Sequence, residues 1–219
     1  MHGAGDSGWY WHLVAAELHE RGFETVAPDL PDGETSLVAC ADRVVEAGAG
    51  ADEVVVVAQS FGAFAATLAA ARLPTEMVVY VAGMVPRPGE SPADWWSAVD
   101  YAGAVRDQAA RDGGLTGHED PYVAFYHDVP RGLAEEAMKR ERTGSLTDEA
   151  RPLDPWPPLH TEFVLCAEDR FFPADLMRRV VTDRLGIVPD EIDAGHCVAL
   201  SRPAELASLL SGYVERDSD

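Results

Sequence analysis

Three residues of the types that cooperate in acyl-transfer chemistry occur along the chain in the order serine, aspartate, histidine. Ser60 stands in Ala58-Gln59-Ser60-Phe61-Gly62, between a run of valines and an alanine-rich stretch. A serine at a sharp turn between a strand and a helix can act as a nucleophile, and small neighbours let the backbone approach closely there. We therefore take Ser60 as the candidate nucleophile. A serine that only caps the following helix is the alternative for this residue taken alone.

Asp169 and His196 each follow a predicted strand in the last third of the chain. His196 is the candidate general base, which takes the proton of Ser60 and later returns it to the leaving group, while Asp169 fixes the imidazole tautomer. Glu168 is the alternative acid, and Cys197 is an alternative nucleophile, although the side chains of adjacent residues point apart. The order along the chain favours Ser60, Asp169 and His196.

A tetrahedral intermediate at Ser60 would need backbone N–H donors aimed at its oxyanion. The candidate donors are the amide of Phe61, directly after Ser60, and the amide of Ala4 in His2-Gly3-Ala4-Gly5. The glycines of this segment allow the backbone to come close to the developing charge. We expect His2 to shape the turn rather than to transfer protons.

The elements that must position these residues alternate between strand and helix. Apolar, β-branched runs without alternation are typical of parallel strands covered on both faces. Such strands are predicted at 54–58, 77–82 and 162–166, with further strands at 23–27 and near Ile192. Helices are predicted at 9–21, 37–47, 63–73, 94–111, 131–142 and 174–185, followed by a last helix with Ser201 as its cap and Pro203 in its first turn. The pattern predicts an α/β fold with a mostly parallel sheet flanked by helices.

The segment 84–160 breaks this rhythm, because it is richer in proline, glycine, charge and aromatic residues. We predict a helical cap there, inserted into a single domain whose core is formed by 1–83 and 161–219. Aromatic rings of the cap either line an apolar or aromatic acyl pocket or fill the core of the cap itself. The candidate pocket residues are Trp95, Trp96, Phe125 and Tyr126, together with Trp156. His127-Asp128 is either a polar contact to the substrate or a helix cap.

The composition disfavours several partners. The 219 residues have a net charge of −21 and a pI near 4.5, which repels nucleic acids and anionic membrane surfaces. Three cysteines without C-x-x-C spacing argue against a disulfide framework, and no apolar stretch approaches a membrane span or a signal sequence. We expect a cytoplasmic protein with a small-molecule partner and with no metal or cofactor.

Taken together, the motifs resemble the plant and bacterial esterases related to hydroxynitrile lyases and to the salicylate-binding methyl esterases. The resemblance implies an α/β-hydrolase fold with a helical cap, hydrolysis of small carboxylic esters by Ser60, Asp169 and His196, and oxyanion amides at Ala4 and Phe61. It covers nearly the whole chain. The segments that carry it are His2-Gly3-Ala4-Gly5, Trp9-Tyr10-Trp11, Val26-Ala27-Pro28-Asp29-Leu30, Ala58-Gln59-Ser60-Phe61-Gly62, Val81-Ala82-Gly83-Met84-Val85-Pro86, Glu168-Asp169-Arg170, Gly195-His196 and Leu200-Ser201-Arg202-Pro203.

The chain departs from this family in two places. The lyases have a threonine beside the oxyanion loop and a lysine before the histidine, where this chain has Gly3 and Asp193-Ala194-Gly195, so we expect an esterase. The family also has a central strand before the His-Gly loop, whereas this chain starts at Met1, and its neighbouring strands would lack a partner. Either the true start lies upstream, which we favour, or the strands around Val26 and Val55 pair directly, or another chain donates a strand.

Two functions of other classes remain as alternatives. Gly3-Ala4-Gly5-Asp6-Ser7-Gly8 matches the G-x-G-x-x-G pattern of dinucleotide sites, with Asp29 at the expected distance. That pattern must follow a strand, and a dinucleotide site leaves Ser60, Asp169 and His196 unexplained. The second alternative is a hydrolase-like fold that binds a small hydrophobic ligand without turning it over.

Overall fold

A computed structural model describes residues 1–146 and 158–217. The strands in these ranges are β1 (Gly33–Thr35), β2 (Val54–Gln59), β3 (Thr75–Val81), β4 (Gly144–Leu146), β5 (His160–Cys166) and β6 (Asp190–Ile192). The α-helices are α1 (His12–Glu20), α2 (Leu37–Ala47), α3 (Ala63–Ala70), α4 (Pro92–Ala98), α5 (Tyr101–Asp112), α6 (Pro121–Ala124), α7 (Arg131–Met138), α8 (Ala174–Leu185), α9 (Val198–Ser201) and α10 (Pro203–Asp217).

The main sheet has four parallel strands in the order β2-β3-β5-β6, which confirms the predicted α/β class and parallel pairing. Ala58 pairs with Tyr80 and Val81 pairs with Val164, so the carboxyl ends of these strands meet at one edge. Helices α4 to α7 lie in the chain between the neighbouring strands β3 and β5. A second, two-stranded parallel sheet joins β1 to β4.

The core lies on both faces of the main sheet because successive side chains of a strand point to opposite faces. Val78 and Tyr80 of β3 belong to one buried cluster, with residues of α2, α3 and α8. Val79 and Val81 belong to the other, with residues of α1 and α10. This arrangement confirms the prediction of strands covered on both sides, and it explains why their sequences show no alternation.

The predicted strand at 23–27 is wrong. The structure has no strand there, and Val26 is 64% exposed. A strand requires a neighbour with which to exchange hydrogen bonds, and β2 does not provide one. β3 pairs with one edge of β2. At β2 the amino group of Met1 also donates to the Val57 carbonyl oxygen (2.5 Å), and the Gln59 N–H donates to the Met1 carbonyl oxygen (3.0 Å). Direct pairing of the segments around Val26 and Val55 is therefore also wrong.

The predicted cap of the last helix is also wrong. Ser201 is the final residue of α9, and its hydroxyl is buried without a hydrogen-bond partner among the described residues. The Arg202 N–H bonds back to Val198, which closes that short helix one residue before α10 begins. Pro203 is the first residue of α10, as predicted, where its missing N–H costs no helix bond.

Cys40, Cys166 and Cys197 are buried free thiols. Within 1–146 and 158–217, no cluster of three or more His, Cys, Asp or Glu side chains is arranged to hold a metal ion. No helix in the part of the chain that the structure describes combines the length and apolar content of a bilayer crossing.

Candidate active site

Ser60 lies at a strained turn between β2 and α3. Its φ of 51° places it in the left-handed region, which costs a residue with a side chain about 1–2 kcal/mol. Ser60 begins a short 3₁₀ turn that ends at Gly62, and a Cβ atom on Gly62 would lie only 2.7 Å from the His2 carbonyl oxygen. The Ser60 carbonyl oxygen accepts a hydrogen bond from the Met84 N–H (3.0 Å). The sharp turn and the small neighbour are the features from which the nucleophile was inferred.

Asp169 is the acidic residue that contacts His196. Its Oδ2 accepts a hydrogen bond from Nδ1 of His196 (2.7 Å), and its Oδ1 accepts from the N–H groups of Phe171 (2.7 Å) and Phe172 (2.9 Å). The Asp169 side chain is only 2% exposed, so these three bonds compensate for its loss of water. Glu168 is exposed. The geometry thus distinguishes the two candidate acids.

The second ring nitrogen of His196 contacts a residue that the sequence analysis did not single out. Nε2 of His196 lies 3.1 Å from Nε2 of the Gln59 side chain, which is almost fully buried. With Nδ1–H directed at Asp169, Nε2 carries the lone pair and accepts from the Gln59 amide. This nitrogen faces the end of β2, where Ser60 follows. The only sequence signal for Gln59 was its position next to Ser60.

Aromatic rings surround the His196 imidazole. Phe125, Phe171 and Phe172 meet it edge to face, with ring centroids 5.6, 5.2 and 5.3 Å away. Trp96 packs against Phe171 at 6.2 Å. Rings in this arrangement exclude water and strengthen electrostatic interactions inside the site. Of this group, Phe125 and Trp96 were candidate pocket residues, whereas Phe171 and Phe172 were missed although they follow Asp169 almost directly.

Trp95 and Tyr126, the other candidate pocket residues that the structure describes, are buried. Trp95 is 0% exposed, and its indole N–H donates to the Val85 carbonyl oxygen (3.0 Å), so it fills the core instead of presenting a surface to a ligand. Tyr126 is buried in the cluster on the other face of the sheet. Trp156 lies outside the described residues.

The loop that contains Ala4 runs directly beside Ser60, the candidate nucleophile. A Cβ atom on Gly3 would lie 3.1 Å from Cβ of Ser60 and 2.4 Å from Oε1 of Gln59. Such an approach is open only to glycine unless the neighbours move. Ala4 itself is exposed at the turn that follows, and Phe61 is half-buried in the 3₁₀ turn that precedes α3. Both candidate oxyanion donors therefore lie on segments next to Ser60.

The His2 side chain links this loop to the segment around Leu30. Its Nδ1 bonds to the Gly3 carbonyl oxygen (2.9 Å), and its Nε2 accepts from the Leu30 N–H (3.0 Å). Burial lowers the pKa of His2 to about 4, so the ring is neutral at physiological pH, as these two bonds require. The bonds give His2 the shaping position that the sequence suggested.

Two charged residues fix the far end of the same loop. Oδ1 of Asp29 accepts from the Gly8 N–H (2.7 Å), while Oδ2 pairs with Arg142 (3.0 Å). The backbone N–H of Arg142 in turn donates to the Gly5 carbonyl oxygen (2.8 Å). Both Asp29 oxygens are therefore engaged within the protein, and neither is free to accept the ribose hydroxyl hydrogen bond that a dinucleotide site requires.

Cys197 and Asp6 are titratable neighbours of the site. Burial raises the pKa of the Cys197 thiol well above its ordinary value, so it stays protonated and is a poor nucleophile. Burial also raises the pKa of the Asp6 carboxyl to about 7, against the opposing influence of a positive charge on His196. Asp6 is thus a carboxyl group whose charge depends on pH near neutrality.

The sequence matches the model of the alpha/beta hydrolase family over residues 1–209, and the chain belongs to this family. Methylesterase 7 of Arabidopsis thaliana is 23% identical over 247 residues, which cover 96% of this chain and 93% of that protein.

Solved structures show the same fold. The crystal structure of polyneuridine aldehyde esterase has a TM-score of 0.79 at 18% identity and covers 97% of this chain and 96% of its own. That of tomato methylketone synthase I bound to 2-tridecanone has a TM-score of 0.76 at 15% identity, covering 99% of this chain and 96% of its own. At such identities the likeness establishes the architecture.

Proposed function

We propose that this protein is a serine esterase that hydrolyses small carboxylic esters through an acyl-enzyme. The observation that carries the proposal is the 2.7 Å bond between Asp169 Oδ2 and His196 Nδ1, which leaves the lone pair on Nε2 of His196. That nitrogen contacts Gln59, the last residue of β2 and the neighbour of Ser60 in the chain. The esterase names of Methylesterase 7 and polyneuridine aldehyde esterase support the same reaction class.

In the proposed reaction, His196 Nε2 takes the proton of Ser60 as Oγ attacks the ester carbonyl carbon. Asp169 keeps the ring in the required tautomer and stabilises the imidazolium that forms. His196 then gives the proton to the departing alcohol, and the acyl group remains on Ser60. A water molecule, deprotonated by the same nitrogen, releases the acid and restores the serine.

The amides of Phe61 and Ala4 would stabilise the oxyanion of each tetrahedral intermediate. Gly3 lies against Ser60, and the bonds of the loop to His2 and Arg142 hold its backbone in place before the substrate arrives. Donors that are already oriented cost no reorganisation when charge develops on the oxygen. Removal of one such donor typically lowers kcat by about 10²–10³.

The substrate proposed for this site is a small ester with an apolar or aromatic acyl group. Phe125, Phe171 and Trp96 form an aromatic surface next to the imidazole. The net charge of −21 disfavours anionic esters, because the field of the protein repels them before they reach the site. A cytoplasmic location remains a prediction from composition.

The test combines a covalent probe with substrate turnover. Wild-type protein should react with a fluorophosphonate, give a single phosphonylated peptide containing Ser60, and hydrolyse short p-nitrophenyl esters. Ser60→Ala should abolish both reactions, whereas the matched control Ser208→Ala, on the exposed side of α10, should retain both. Asp169→Asn should lower kcat by about 10³–10⁴, since the wrong tautomer is favoured.

The opposite results would support a binding protein without turnover. If wild-type protein neither reacts with the probe nor hydrolyses any ester, or if Ser60→Ala hydrolyses esters at the wild-type rate, the proposed esterase mechanism is wrong. Binding of the p-nitrophenyl ester without hydrolysis, measured by calorimetry, would then identify the alternative function.

A further inference from the structure

Two adjacent residues between α6 and α7 bond to the two loops that carry the acid and the base. Nε2 of His127 donates to the carbonyl oxygen of Glu168 (3.1 Å), and Oδ2 of Asp128 accepts from the Gly195 N–H (2.8 Å). Glu168 and Gly195 are the residues immediately before the two triad partners. His127-Asp128 is therefore not a helix cap in this structure, because Phe125 ends α6 and Pro130 precedes α7.

The fit around Gly195 is close. A Cβ atom on Gly195 would lie 2.6 Å from Nε2 of His127 and 2.7 Å from Oδ1 of Asp128. No side chain is accommodated at such distances without a shift of these two groups. The pair thus packs closely against Gly195 as well as bonding to the loop.

Stability alone does not account for Asp128. Its side chain is 7% exposed, and among the described residues the cation paired with it is Arg202, at 4.0 Å. Its second oxygen, Oδ1, is buried without a hydrogen-bond partner among the described residues. A buried carboxylate that is only partly bonded costs free energy, so its position calls for a reason other than stability.

The geometry assigns His127 and Asp128 as positioning residues that hold Asp169 and His196 at bonding distance; we call this pair the triad clamp. The two loops are already joined on one side, where the Glu168 N–H donates to the Ala194 carbonyl oxygen (3.0 Å). In the clamp, His127 bonds to the C=O of Glu168 and Asp128 bonds to the N–H of Gly195. It therefore closes a second connection between the loops, supplied by the segment that precedes α7.

This inference rests on the proposed function, because the clamp acts through the triad. Errors of about 1 Å in the placement of a catalytic group can reduce the rate about 10²-fold. Loss of the clamp should therefore lower kcat while leaving substrate binding intact.

The experiment compares His127→Leu, Asp128→Ala and the conservative His127→Gln, whose amide keeps an N–H donor. His118→Leu and Glu119→Gln, exposed residues of the preceding turn, are matched controls. We expect His127→Leu and Asp128→Ala to lower kcat by about 10–100-fold with KM changed less than about two-fold. His127→Gln should recover to within about three-fold of wild type, and the controls should match wild type.

A double-mutant cycle separates positioning from a general structural effect. In the Asp169→Asn background the clamp substitutions should change kcat by less than about three-fold, because the bond they support is already lost. Equal factors in both backgrounds would overturn the proposal. So would a wild-type kcat in His127→Leu, or losses of kcat that follow the fall in melting temperature across all variants.

A second readout does not depend on turnover. The proton shared by His196 and Asp169 should give a downfield proton NMR resonance that Asp169→Asn removes. It should broaden or move in the two clamp variants and persist in His127→Gln and the controls. If no ester is hydrolysed but the resonance behaves in this way, the proposed function fails and the clamp stands; a resonance unchanged in His127→Leu and Asp128→Ala refutes the clamp.

Discussion

The side-chain amide nitrogen of Gln59 lies 3.1 Å from Nε2 of His196, the ring nitrogen opposite to the one bonded by Asp169. In the proposed mechanism this nitrogen must accept the proton of Ser60. An imidazole nitrogen has one lone pair, so the amide and the hydroxyl compete for it. In the proposed mechanism the Gln59 amide would therefore have to leave this lone pair before Ser60 could use it.

Replacement of Gln59 by methionine should accelerate the reaction of Ser60. The substitution keeps a side chain of similar length and removes a bond worth about 1 kcal/mol, which corresponds to about five-fold in rate. It also removes Oε1 of Gln59, which is buried without a partner among the described residues, so stability should not fall. The measurement is the rate of fluorophosphonate labelling, with Gln108→Met on α5 as control. Slower labelling would show that the amide orients the ring instead of competing for it.

Gly62→Ala should reduce both stability and activity. The new methyl group would meet the His2 carbonyl oxygen at 2.7 Å, and that backbone must move together with the oxyanion loop. Overpacking of this kind costs about 1–3 kcal/mol. Gly212→Ala, inside α10 with no heavy atom within 4 Å of its Cβ, should instead stabilise the protein by about 0.5–1 kcal/mol. Urea unfolding measures the free energy of unfolding of both variants. Equal changes of this free energy in Gly62→Ala and Gly212→Ala would contradict this account of Gly62.

Asp6→Asn should stabilise the protein above neutral pH. The pKa of Asp6 is raised from 3.8 to about 7, so ionisation of the folded protein at this residue is unfavourable. The protonated Asp6 carboxyl therefore contributes to the free energy of unfolding fully below about pH 4, and this contribution is lost as the pH rises to about 7. At pH 8 the variant should exceed wild type by up to about 4 kcal/mol, and below pH 4 the two should agree.

The measurement for Asp6 is the free energy of unfolding in urea from pH 4 to pH 8. The difference between variant and wild type isolates this carboxyl, because the other acidic groups are common to both. Asp52→Asn, at an exposed position before β2, serves as the control and should run parallel to wild type. Parallel curves for Asp6→Asn would show that the Asp6 carboxyl remains hydrated.

Trp95 and Trp96 should respond differently to replacement by leucine. Trp95 is 0% exposed, so Trp95→Leu should lower the free energy of unfolding by about 2–5 kcal/mol through cavity formation. Trp96 is half-buried against Phe171, so Trp96→Leu should chiefly raise KM for aryl esters relative to short alkyl esters, by about five-fold. Unfolding curves and KM values for aryl and alkyl esters, measured on both variants, distinguish a core residue from a pocket residue. A change of ester preference in Trp95→Leu, or none in Trp96→Leu, would reverse the assignment.

The sequence by itself determined the local elements and the order of the reactive residues. Helices at Leu37–Ala47 and Ala174–Leu185 agree with their predicted bounds, because apolar periodicity and terminal residues such as Gly186, with its φ of 70°, act within a few positions. Because parallel strands end at one edge of the sheet, the loops after β2, β5 and β6 could be expected to meet there.

Only the tertiary structure decided which groups touch. The contact of Gln59 with His196 and the bonds of His127 and Asp128 to the triad loops join residues far apart in the chain, and no local pattern encodes them. The failure of the predicted strand at 23–27 has the same origin, since β-branched residues become a strand only where a neighbour accepts their backbone hydrogen bonds. Residue types and spacing thus identified Ser60, Asp169 and His196 as candidates, whereas contacts between distant parts of the chain determined the geometry around them.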